Sequence, residues 1–135
     1  INEVISQGMP VVMFDRITNE IFCDKVIIDD KQAAYEAVSY LIEKGRKQIA
    51  LVTTADYVSV GKLRTDGYMK ALTDHDIAVN EKLIIRADDE IQCKQEVQKL
   101  LEQGAIDGVL AVNELYAVTI IKTANEMQIT VPEQL

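Results

Sequence analysis

"DDKQAAYEAVSYLIEKGRKQIALVT", Asp29 to Thr53, changes rhythm halfway along. In its first part Ala34, Ala37, Val38, Leu41 and Ile42 recur at three- and four-residue spacings, which puts them on one face of a helix. Asp29 or Asp30 offers a cap at its start, and Gly45 suits the left-handed turn that ends it. "QIALVT" then has five apolar or β-branched residues out of six, as expected of a strand covered on both faces.

The same unit recurs on either side. Upstream, "MPVVMF" (Met9 to Phe14) and "KVII" (Lys25 to Ile28) read as buried strands. Downstream, a polar loop from Thr54 leads into a helix around Lys62 to Asp74, with Leu63, Tyr68, Ala71 and Leu72 expected inside. "KLIIRA" is the next strand, "IQCKQEVQKLLEQG" an amphipathic helix closed by Gly104, and "DGVLAV" another strand. "NELYAVTIIKTANEMQ" is the last helix, with Leu115, Val118, Ile121 and Ala124 expected inward. Alternation of this kind implies parallel strands joined by right-handed crossovers, so the fold expected is α/β with a doubly wound parallel sheet. Ile1 to Gln7 reads as the last turns of a helix and "VPEQL" as a loop feeding a further strand. The expectation is therefore an incomplete part of a larger domain.

At 135 residues the chain has the size of one ordinary domain. Its 48% hydrophobic and 27% charged residues are those of a globular protein. No apolar run reaches the ~18 residues of a membrane helix, and the first ten residues lack a secretory pattern. The net charge of −8 makes these residues a poor surface for nucleic-acid phosphates. Cys23 and Cys93 lie far apart with no CxxC, as free thiols of a reducing compartment would, and the single His75 cannot build a zinc site unaided.

Catalytic motifs fail one by one. There is no GxSxG elbow and no GxGxxG. Gly61-Lys62 resembles the end of a phosphate loop, but Asp56 and Leu63 stand where a Gly and a Ser or Thr are needed. The acidic "VIIDD" fits either a magnesium or phosphorylation site or the cap and first turn of the helix, and its position favours capping. No catalytic residue, metal site or cofactor is expected.

What remains is a set of polar residues at strand exits: Asp15 and Arg16, Asp29, Asp88 and Asp89, Asn113 and Glu114, with Arg64 at the start of the helix after "QIALVT". Open α/β sheets bind ligands beyond the carboxyl ends of their strands. Carboxylates, amides and one guanidinium suit a polyhydroxyl ligand, whose hydroxyls each want a donor and an acceptor. Taken singly, each of these residues also reads as a cap or a solvated loop residue.

"GMPVVMFDR", "DKVIIDD", "AVSYLIEKGRKQIALVT", "RTDGYMKAL" and "DGVLAVNELYAVTIIKTANEMQITVPEQL", in that order, resemble the effector-binding domain of LacI/GalR-type bacterial transcriptional regulators. The resemblance covers essentially the whole chain. It implies a periplasmic-binding-protein-like fold in which residues 1–29 end an N-terminal subdomain and 30–135 form most of the C-terminal one. It also implies a small-molecule, sugar-like effector in the cleft between them, with operator DNA held only by a helix-turn-helix missing from this segment. On the same basis Asp15, Arg64 (three residues before Gly67) and Asn113 are the expected effector ligands, with Asp29 and Asp88 nearby. Glu114 stands where the family usually has Asp, and "YVSV" makes the loop before Arg64, with Val58 and Val60, less polar than is common. A cytoplasmic homodimer is implied as well. Val118, Ile120 and Ile121 cannot all face one core, and they mark its expected interface. A periplasmic sugar- or solute-binding protein of the same fold is the alternative.

Overall fold

The computed structural model describes residues 1–15, 17–54 and 59–135. A short helix α1 (Asn2–Ser6) precedes two strands, β1 (Val12–Phe14) and β2 (Asp24–Val26), which pair in parallel. Then follow α2 (Asp30–Glu43), β3 (Ile49–Thr53), α3 (Ser59–Asp74) and β4 (Ile84–Arg86), the last preceded by a 3-10 turn over Glu81–Leu83. The chain continues through α4 (Glu90–Glu102), β5 (Gly108–Ala111) and α5 (Glu114–Glu126). These strands form a second parallel sheet in the order β4-β3-β5.

That order decides where the helices go. The step from β3 to β4 runs one way along the sheet, and the step from β4 to β5 runs back past β3. Right-handed crossovers then put α3 and α4 on opposite faces. The packing agrees, with α2 against α3 and α4 against α5. Covered on both sides, every residue of β3 is buried. Val38, Ile49, Leu51, Val52, Tyr68 and Val97 form the centre of the core.

Three contacts fix the layers. Gly67 lets α3 touch α2, since a Cβ there would collide with the Lys31 carbonyl and lie 2.9 Å from Ala34 Cβ. Tyr68, fully buried, donates its hydroxyl to the Ile49 carbonyl at 2.8 Å, and burial pushes that hydroxyl from 10.0 up to about 12. On the other face Tyr116 reaches from α5 to the Ala87 carbonyl at 2.6 Å.

Several expectations need correction. β1 and β2 are not buried strands here: Val12, Phe14 and Val26 are 57%, 76% and 64% exposed, because no helix among the described residues covers this two-stranded sheet as helices cover β3. Leu63 is exposed on α3. On α5 the inward stripe is Tyr116, Ile120, Thr123 and Ala124, while Leu115, Val118 and Ile121 stand out. The helix carries two apolar stripes, and the Tyr116 hydrogen bond to Ala87 selects the one that turns inward. Ile120 therefore belongs to the core and not to an exposed interface.

Candidate functional site

β3 hands the chain to α3 on one face and β5 hands it to α5 on the other. Sending the chain from neighbouring strands to opposite faces opens a crevice at the carboxyl edge of the sheet. A cavity of about 130 Å³ lies there, lined by Asp15, Thr54, Val60, Gly61, Arg64, Val112 and Asn113. It shares Asp15 and Val60 with a larger cavity of about 420 Å³, bordered by Ile17, Asn19, Ile27, Ile28, Asp30, Lys62, Leu63 and Asp66. The structure thus brings Asp15, Arg64 and Asn113 to one place.

Each is held differently. Asp15 sits just past β1 with φ 61°, a left-handed conformation that Asp tolerates better than most residues, and its N–H donates to the Val26 carbonyl at 3.2 Å. Its exposed carboxylate is left to accept. Arg64 lies in the second turn of α3, because that helix starts at Ser59, earlier than the spacing suggests. Its Nε donates to Asp30 Oδ1 at 2.8 Å, its Nη2 lies 2.7 Å from the same oxygen as an ion pair, and its Nη1 donates to the Val112 carbonyl. Asn113 caps α5, its Oδ1 accepting from the Tyr116 N–H at 2.8 Å, so its amide nitrogen remains for a ligand.

Three contributors escape the sequence reading. Asp30 is buried and paired with Arg64, whereas two adjacent acids at a helix start read simply as a cap with an acidic first turn. Thr54 Oγ1 is buried without a partner among the described residues, and buried polar atoms are rarely left so. Gly61 matters for space rather than for phosphate, because a Cβ there would run into Thr54 Oγ1. A Gly-Lys pair carries no signal of that kind.

Asp29 and Asp88 line neither cavity. Asp29 caps α2, accepting from the Gln32 N–H at 2.9 Å. Asp88 is exposed, its N–H bonded to Gln92 Oε1, and the neighbouring Asp89 caps α4. β4 is the far edge of the sheet, so its exit lies a full strand away from the crevice between β3 and β5. Glu114 serves as the acid of the first turn of α5. Arg16 and Val58 lie outside the described residues. Among the described residues no cluster of potential metal ligands occurs and no helix is long and apolar enough to cross a membrane.

Residues 1–132 match the family described as periplasmic binding proteins and the sugar-binding domain of the LacI family. Among curated relatives, the HTH-type transcriptional regulator AscG of Escherichia coli is 32% identical over the whole chain, which spans 41% of that protein. The HTH-type regulator DegA of Bacillus subtilis is 29% identical, again over the whole chain and 40% of its own length. Among solved structures, a LacI-family regulator from Enterococcus faecium with bound ribose superposes with a TM-score of 0.84 at 26% identity, covering 98% of this chain and 50% of that one. The chain thus spans about two fifths of these curated relatives and half of that structure.

Proposed function

The chain belongs to the family of periplasmic binding proteins and LacI-type sugar-binding domains, and on that footing we propose that it is the effector-sensing part of a DNA-binding transcriptional regulator. Its effector is a sugar or a related small metabolite held in the crevice between the exits of β3 and β5. One observation carries this reading: Asp15, Thr54, Arg64 and Asn113, from three separate stretches of chain, line one concavity. Together they offer a carboxylate acceptor, a hydroxyl, guanidinium N–H groups and an amide, the mixture that hydroxyl groups need. The relatives named above are regulators, which favours sensing over transport or catalysis.

We assign residues 1–29 to one subdomain and the crossover from it, and 30–135 to the other. DNA contact belongs to a basic head outside these residues, and the protein works in the cytoplasm. Its dimer contact lies on the exposed stripe of α5, with Val118 and Ile121 and without Ile120. A thermal-shift screen of the intact protein against sugars, nucleosides and amino acids tests the reading. A ligand that binds the native state raises the melting midpoint, and the hits should be sugars; a response confined to amino acids would refute it.

A further inference from the structure

Resting on the sugar reading, we infer that Asp30 sets the charge the effector can carry. By holding Arg64 as an ion pair it makes the crevice select an uncharged polyhydroxyl ligand over its phosphorylated or carboxylate counterpart. The argument starts from donors. A guanidinium has five N–H groups. Nε donates to Asp30 Oδ1, Nη2 lies 2.7 Å from the same oxygen in the ion pair, and one N–H of Nη1 goes to the Val112 carbonyl. Among the described residues this leaves at least one N–H on each terminal nitrogen for a ligand.

The charge is matched even though donors remain. The Asp30 side chain is 8% exposed and that of Arg64 27%, so the pair is drawn largely out of water before any ligand arrives. Asp30 also sits in the first turn of α2, where the helix dipole favours a negative charge. An entering phosphate or carboxylate would shed its hydration beside this carboxylate and Asp15, with Arg64 already neutralised. A hydroxyl pays no such charge penalty: it accepts from a spare Arg64 N–H and donates to Asp15. The adjoining cavity is lined by one cation, Lys62, against three carboxylates, Asp15, Asp30 and Asp66, so its lining is acidic on balance.

The test uses the intact protein and matched probes: D-ribose with ribose 5-phosphate, D-glucose with glucose 6-phosphate, D-galactose with galacturonate, and inorganic phosphate alone. Calorimetry at fixed low ionic strength should find the uncharged member of a binding pair at least about tenfold tighter than its partner, and no binding of inorganic phosphate. In Asp30→Asn, which keeps the shape and removes the charge, the preference should move toward the charged member by about ten- to a hundredfold. Asp30→Glu, which restores the charge, should move it back. Circular dichroism checks that each variant is folded, and if Asp30→Asn is not, the wild-type ranking and Asp30→Glu decide. Wild-type preference for a charged member, or an unaltered preference in folded Asp30→Asn, overturns the inference alone. Failure of every sugar to bind overturns the sugar reading and this inference with it.

Discussion

Replacing Arg64 by Ala removes more than a ligand contact, and its cost can be worked from the pair it leaves behind. The substitution strands Asp30, whose side chain is 8% exposed, and frees the Val112 carbonyl as well. Breaking a fully buried pair costs ~3–5 kcal/mol, and an exposed pair is worth under ~1 kcal/mol. With Arg64 itself 27% exposed, water screens part of the interaction. The coupling between the two side chains should therefore be ~1.5–3 kcal/mol. A double-mutant cycle of Arg64→Ala, Asp30→Ala and the pair together, followed by urea unfolding of the intact protein, measures it. Arg64→Ala should cost more than Asp30→Ala, because the stranded carboxylate is the more deeply buried partner, and the double variant should recover part of the loss. Strictly additive effects, with coupling under ~0.5 kcal/mol, would show that the pair is only a solvated surface contact.

Gly67→Ala should destabilise the protein by ~1–3 kcal/mol in the same unfolding assay, since its methyl group meets the Lys31 backbone, which cannot move aside as a side chain would. Tyr68 predicts an alkaline limit. Its hydroxyl holds its proton to about 12 when folded and to 10.0 otherwise, so its share of stability is complete below pH 10 and drains away as pH rises toward 12. Tyr68→Phe should be less stable at neutral pH, through the orphaned Ile49 carbonyl, and lack that part of the alkaline decline. Val118→Asp with Ile121→Asp should shift the intact protein toward monomer by light scattering while leaving it folded, whereas Ile120→Asp should unfold it. A dimer unmoved by the first pair would refute the interface.

The alternation of β-branched runs with helical periods made the three-stranded sheet readable, because parallel strands must be apolar along their whole length and β3 is buried throughout. β1 misled for the same reason: an apolar run reports the tendency to be covered, and nothing among the described residues covers Phe14. On α5, period alone offered two stripes, and the one that turns inward is the one whose Tyr116 bonds across to Ala87 and whose Ile120 packs in the core. At the crevice, Asp15, Arg64 and Asn113 were legible as polar residues at element ends. Asp29 and Asp88 look identical in sequence, and only the order β4-β3-β5 and the cap geometry set them apart. Asp30, Thr54 and Gly61 depend on which helix lies against which loop, a relation between distant residues that no local spacing encodes.

The central claim is that this crevice holds the effector, and calorimetry on Arg64→Lys tests it most directly. The probe is the sugar that most raises the melting midpoint of the wild-type intact protein. Lys keeps the positive charge near Asp30 but cannot hold two oxygens with a planar fork. Affinity should fall by about tenfold to 150-fold, the equivalent of ~1.5–3 kcal/mol, while circular dichroism shows a folded protein. Wild-type affinity in folded Arg64→Lys would contradict the account.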